Sequence, residues 1–187
     1  MQALQTVMAK SGYEKATIQA IAAAAGLAPG LLHYHFKSKQ EILVSLVTTL
    51  AGHAQQRFAQ LAGTATDPLQ RLRAYIDARL ALGAGAAPDV IVAWVMIATE
   101  AVRQPEVREA FGRAVGAELD LATGLLAACL RHHGRDDTPA RQLAAGLLAL
   151  IEGAYQLASA AEGVMPAGYA ADAAWRYALA QVAPQDR

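Results

Sequence analysis

The chain has 187 residues, 55% of them hydrophobic and 17% charged, with a formal net charge of zero. That length allows one or two domains with a buried core, and the composition excludes a disordered polar chain. No uninterrupted apolar run reaches the roughly 18 residues of a membrane span, the N-terminus lacks the basic and apolar regions of a secretory signal, and the lone Cys129 leaves no internal disulfide.

These features predict a cytoplasmic protein with no membrane partner. Its charge is uneven. Every lysine (Lys10, Lys15, Lys37 and Lys39) lies near the start of the chain, facing only Glu14 and Glu41 there, and no arginine precedes Arg57. A slightly basic head on a slightly acidic body points weakly to a polyanion.

Helical periodicity and helix punctuation run throughout, and alternating strands are absent, which predicts an all-α chain of about nine helices. Leu4, Val7 and Met8 share a helical face that stops at Gly12. Thr17 caps a short second helix, IQAIAAAAG, which ends at Gly26. Pro29 opens a brief third helix, where its missing N–H costs nothing. Ser38, with Glu41 three residues on, forms a capping box for a long helix to about Leu61.

Beyond Gly63 the punctuation repeats. Asp67-Pro68 opens a helix to about Leu82, Gly83 to Ala87 form a loop, and Pro88-Asp89 opens a helix ending near Gln104. Pro105 begins a long segment to His133, with a kink expected near Gly112 or Gly116. After GRDDTP, Thr138-Pro139 starts a helix to about Glu162, EGVMPAGY is a loop, and the last helix spans roughly Ala171 to Val182. Short helices give way to long ones near residue 45, which sets the expected domains at 1–45 and 46–187.

Three short helices, the second and third joined by a tight glycine-containing turn, describe a helix-turn-helix. Ile18, Ile21, Ala22 and Ala25 fall on the inner face of the second helix, and Leu32 and Phe36 on that of the third. The same geometry turns Gly30, Leu31, His33, Tyr34 and His35 outward or to the ends. In such a motif the third helix enters the major groove, and polar-tipped rings followed by lysines suit phosphate contacts along its wall. A merely polar surface helix is the competing reading.

TIQAIAAAAGLAPGLLHYHFKSKQEIL, Thr17 to Leu43, resembles the DNA-binding head of TetR-type transcriptional regulators. The later stretches EAVRQPEVREAF and LIEGAYQLA resemble the BetI-type branch more faintly. The resemblance implies a homodimer on a palindromic double-stranded operator, released by a small-molecule effector, hence a repressor without a cofactor. It implies that Thr17 binds phosphate, that Gln19 reaches a base, and that Pro29, Gly30 and Leu31 begin the recognition helix. His33 and His35 would lie against the backbone with Tyr34 between them, and Lys39 would bind phosphate. Ala28, Leu31 and His33 depart from the usual Ser, Thr and Tyr. The resemblance also implies a longer, often basic, run ahead of the first helix.

In the body, Phe58, Tyr75, Trp94, Met96, Ile97 and Phe111 have the spacing and size to line a ligand cavity or to fill a plain core. Glu100 either offers a carboxylate to a ligand or pairs with Arg103. Leu143, Leu147, Leu150 and Ala154 follow coiled-coil steps, and Trp175 and Leu179 make a matching stripe on the last helix. These either complete the chain's own core or form a symmetric four-helix contact, and the resemblance favours the dimer.

Adjacent His132 and His133 point about 100° apart on a helix and lack further ligands, so no metal site is expected. Cys129 reads as a buried filler, and no set of nucleophile, base and orienting partner is recognisable. A small helical enzyme and a helical interaction module without DNA binding are the alternatives.

Overall fold

The computed structural model describes residues 2–81, 88–161 and 163–184; the expected loop at Gly83 to Ala87 and the expected helix end at Glu162 lie outside them. Among the described residues there are nine helices and no strand: α1 (Gln2–Lys15), α2 (Ile18–Ala24), α3 (Pro29–His35), α4 (Lys39–Ala62), α5 (Pro68–Leu80), α6 (Pro88–Arg103), α7 (Pro105–His132), α8 (Ala140–Ala160) and α9 (Tyr169–Val182).

The punctuation acts as its chemistry requires. Thr17 accepts the Ala20 N–H at 3.1 Å and Asp67 the Gln70 N–H at 3.1 Å, each satisfying an orphan donor of the first turn. The Ser38 hydroxyl accepts the Glu41 N–H at 3.1 Å, while the Glu41 carboxylate reaches back to the Lys37 N–H at 2.7 Å. That is a capping box whose return arm lands one residue early.

Four boundaries differ from expectation. Gly12 (φ 78°, ψ 163°) breaks the helical path as expected, but one more turn follows before Lys15. α7 is continuous across Gly112 and Gly116, because isolated glycines inside a long helix weaken it without stopping it. α8 starts at Ala140, with Pro139 as its N-cap. α9 starts two residues early, at Tyr169, directly after Gly168, whose φ of 73° turns the chain.

The chain divides into two compact units: Met1–His53 with Ala86–Ala114, and Ala54–Gly85 with Val115–Arg187. In the first, Leu4 and Met8 of α1, Ile21 and Ala22 of α2, Leu32 of α3 and Leu43 and Leu46 of α4 bury together. Ala93, Ile97 and Ala101 of α6 join that core, and α1 packs along α6. Fully burying a side chain such as Ile97 contributes about 1.5–3 kcal/mol, so α6 belongs spatially with the helices before residue 45. In the second unit Leu72, Tyr75 and Ile76 of α5, Leu126 and Leu130 of α7, Leu147 and Ile151 of α8 and Ala174 and Ala178 of α9 form the core.

Candidate nucleic-acid interface

The link between α2 and α3 is built from backbone hydrogen bonds. Gly26 takes a left-handed φ of 66°. Its N–H donates to the Ala23 carbonyl at 3.1 Å, and the Leu27 N–H to that of Ala22 at 2.9 Å. These two bonds make a Schellman stop, which satisfies the carbonyls left open at the end of α2 and needs a glycine at the turning residue. The chain then passes extended through Ala28 into Pro29, and no side chain caps α3.

This turn sets which side of α3 is covered. Leu32 is buried and Phe36 half-buried against the core of the unit. Pro29, Gly30, Leu31, His33, Tyr34 and His35 are exposed, Tyr34 by 84% and Leu31 by 46%. The Tyr34 and His35 rings meet edge to face at 5.3 Å. Gln19 is exposed on α2, and Thr17 sits at its N-terminus with its hydroxyl used as the cap. Ala25, expected inside, is exposed, because α2 ends at Ala24 and Ala25 is its C-cap. A two-turn helix therefore presents ring edges, imidazole nitrogens and a phenol to one side and apolar groups to the other.

Lys39, expected on the same outer surface, is turned inward. Its Nζ donates to the carbonyls of Tyr13 at 2.8 Å and Glu14 at 3.2 Å, and lies 4.1 Å from the centroid of the Tyr13 ring. Nothing in the spacing of Lys39 signals this, since its acceptors are backbone atoms of another helix.

The residues expected to line a cavity fall in two separate clusters. Ile97 is buried, and Trp94 and Phe111 half-buried, in the core of the first unit, with the two rings 4.9 Å apart. Phe58 and Tyr75 are buried in the second, 6.0 Å apart. Glu100 accepts a hydrogen bond from Gln104, four positions on, at 2.7 Å instead of pairing with Arg103.

Sequence reasoning missed the main polar feature of the second unit. Arg79, 4% exposed, donates Nε to Glu118 at 3.0 Å and Nη2 to both carboxylate oxygens at 2.5 and 2.6 Å. The Tyr75 hydroxyl donates to Glu118 at 3.2 Å, and the Tyr155 hydroxyl to the Arg79 carbonyl at 3.1 Å. Burial, reinforced for Tyr75 by the Glu118 charge, raises the pKa of both phenols, so both remain neutral donors. Burial also pushes the Cys129 thiol up to about 11, which removes it as a nucleophile at neutral pH.

On α8, Leu147 and Ala154 are buried in the chain's own core, which leaves them no surface for a partner; Leu143 and Leu150, with Trp175 and Leu179 of α9, are half-buried. Gly146 lets α9 approach: a Cβ there would sit 2.3 Å from the hydroxyl oxygen of Tyr177, which donates to the Leu143 carbonyl. Ala145, Ala149, Gly153 and Leu157, at steps of four, stay exposed. Among the described residues α8 is the one helix long and apolar enough to cross a membrane (mean hydropathy 1.4), yet only 22% of its apolar stretch is buried. No metal-binding group of His, Cys, Asp and Glu occurs among the described residues.

Known proteins share this organisation. Residues 2–46 match the bacterial regulatory proteins of the tetR family, and residues 68–183 match the BetI-type transcriptional repressor C-terminal family. Over 153 residues the chain is 31% identical to the HTH-type transcriptional regulator BetI of Rhizobium meliloti (strain 1021), covering 80% of this chain and 70% of that one. A transcriptional regulator from Rhodococcus sp. Rha1 shares the fold with a TM-score of 0.82 at 24% identity, covering 97% of this chain and 92% of its own. A Saccharomonospora viridis protein, assigned as a transcriptional regulator and solved in complex with choline, shares it at 0.78 and 23% identity, covering 100% and 95%. The chain belongs to the tetR family, with a BetI-type C-terminal region, and is a transcriptional regulator, not an enzyme.

Proposed function

We propose that the chain is a cytoplasmic repressor that binds a palindromic operator as a homodimer and leaves it when a small molecule binds. The observation that carries the DNA reading is the surface of α3: of the seven positions from Pro29 to His35 all but Leu32 are uncovered, and His33, Tyr34 and His35 bear rings with hydrogen-bonding tips. Pro29, Gly30 and Leu31 meet base edges in the major groove, with Leu31 against a thymine methyl. Gln19 reads an adenine edge, while Thr17, His33, Tyr34 and His35 follow the phosphate wall.

Self-association is supported by α8. Its exposed stripe of Ala145, Ala149, Gly153 and Leu157 has no covering element among the described residues, and two copies related by a twofold axis would cover it with Leu143, Leu150, Trp175 and Leu179 at the rim. Leu147 and Ala154 then back the seam from beneath.

The effector reading rests on the BetI-type region, and the choline held by the Saccharomonospora viridis protein is a precedent for a small molecule in this architecture. Of the residues expected to meet an effector, Tyr75 lies against the Arg79–Glu118 pair, and Phe58 packs on the Tyr75 ring. A ligand that competes for those hydrogen bonds gains affinity only in the opened state, which is what a release switch requires. Trp94, Ile97, Glu100 and Phe111 remain as candidates in the other unit.

A mobility shift on the intergenic DNA upstream of the gene, repeated with candidate effectors, tests this. The expected result is a sequence-selective complex that a particular small molecule dissolves. Equal affinity for all sequences, or no complex, refutes it.

A further inference from the structure

In the second unit α5 packs along α9, and beside this contact the surface forms a pocket of about 390 Å³. That volume suits a small ligand. Trp175 of α9 makes one wall, Leu61 and Leu69 add apolar surface, and Asp67, Arg73 and Asp77 bring charge. The pocket lies on the flank of α9 away from α8. Tyr177, two positions on from Trp175 and so on the other side of the helix, donates to the Leu143 carbonyl of α8. Neither Arg79 nor Glu118 lines this pocket.

The pocket already holds a cation, which is the chain's own. The Arg73 guanidinium carbon stands 5.4 Å from the centroid of the Trp175 ring, and Nε donates to the two Asp77 oxygens at 3.0 and 2.9 Å. A ring and a carboxylate converging on one point recognise a cation by its charge and its hydrogen bonds. Arg73 is a weakly held occupant. Its side chain is 38% exposed and that of Asp77 27%. An exposed pair of this kind, with the base ahead of the acid along the helix, contributes little. Swinging into water returns rotamer freedom to the long arginine stem. Asp67 and Asp77 then stand against no cation, which attracts a positive ligand and repels a negative one.

We propose that this pocket is a second small-molecule site, for an organic cation with an apolar body. The ligand's ammonium replaces the Arg73 guanidinium beside Asp77 and Trp175, and its body covers Leu61 and Leu69. Arg73 is the plug of the site, and the apparent affinity is the intrinsic one reduced by the fraction of time that the plug is out.

The test uses the full chain, isotope-labelled, with three probes of similar shape: phenethylamine, its neutral analogue phenethyl alcohol, and the anion hydrocinnamate. The indole N–H resonances of Trp94 and Trp175 are followed by NMR during titration, with Trp175→Phe to assign them. Phenethylamine is expected to move the Trp175 resonance and leave that of Trp94 in place. The alcohol should bind about tenfold more weakly, and the anion should not bind. Arg73→Ala removes the plug and should tighten the amine about fivefold. In that background, where nothing competes, Asp77→Asn should weaken it about tenfold.

A Trp175 resonance that no probe moves overturns the proposal. So does an alcohol or an anion that binds as well as the amine, or an Arg73→Ala chain that binds the amine more weakly than the parent. Arg73 and Asp77 are both partly exposed, so their variants are expected to keep the parent's unfolding midpoint. The titration needs no DNA: its failure leaves the operator reading standing, and failure to bind an operator leaves this site standing.

Discussion

α3 and α8 both leave surface uncovered, and they leave opposite chemistries. α3 exposes imidazoles and the phenol of Tyr34, groups that water satisfies and that phosphates and base edges satisfy equally well. α8 exposes Ala145, Ala149, Gly153 and Leu157, which offer a partner no side-chain hydrogen bond and gain only from being covered. On the proposed function, the difference matches each helix to a partner: a polar, charged one for α3 and an apolar one, a second copy of α8, for the other.

The largest effect expected from this comparison is on α8. Leu150→Asp places a charge at the rim of the proposed seam and should convert the dimer to a folded monomer. Losing two-point attachment then lowers operator affinity by about 10²–10⁴-fold, read by sedimentation and anisotropy together. A Leu150→Asp protein that still sediments as a dimer breaks the assignment of α8.

Next in size is a change outside both faces, which separates fold from function. Glu118→Ala strands the Arg79 guanidinium, 4% exposed, and removal of one partner of such a buried pair costs about 3–5 kcal/mol. Urea unfolding should show that loss in the midpoint, whereas Tyr34→Ala, 84% exposed in the parent, should unfold with the wild-type midpoint.

On α3 the effects are smaller and differ in kind. Tyr34→Ala should weaken operator and random DNA alike, because it removes the proposed backbone contact. Gln19→Ala should instead relax discrimination at a single base position, by about 1–3 kcal/mol. Competition titrations against a panel of single-base operator variants distinguish the two, and a uniform loss in Gln19→Ala would reassign that amide to phosphate.

The smallest expected effect sharpens the α8 side. A Cβ at Gly153 meets nothing within 4 Å among the described residues. Gly153→Ala should therefore stabilise the Leu150→Asp monomer by about 0.5–1 kcal/mol through helix propensity. In the parent background the added methyl should weaken self-association. Equal stabilisation in both backgrounds would mean that the glycine lies outside the seam.

Local signals carried much of this. Thr17, Asp67 and Ser38 are caps because a side-chain oxygen two or three residues before an open N–H is visible in the sequence, and Gly26 announces its own left-handed turn. The outward set on α3 follows from Leu32 and Phe36, four apart, claiming the inner face. What was hidden has its partner far along the chain or on the backbone. Lys39 read as a phosphate-binding lysine on the outer surface, and its contacts with the carbonyls of Tyr13 and Glu14 could not be read from its spacing. Arg79 and Glu118 meet across 39 positions, a separation that no helical spacing rule covers.

Glu100 shows the limit of the local rules themselves, since Arg103 and Gln104 are both within reach and only the structure chooses Gln104. On α8 the heptad pattern found the apolar residues but not their direction. Leu147 and Ala154 are buried in the chain's own core, while the uncovered stripe runs through Ala145, Ala149, Gly153 and Leu157.

The central claim, that α3 reads DNA from a twofold-symmetric dimer, is tested most directly by selecting binding sites from random DNA with the intact protein. Residues 1–56 contain no arginine to fork onto guanine, and base reading falls to Gln19, Gly30 and Leu31. The account therefore predicts enriched inverted half-sites whose most constrained positions are A·T pairs, with sequence-dependent DNA shape supplying the rest. A selected site without inverted symmetry, or half-sites dominated by invariant guanines, would contradict it.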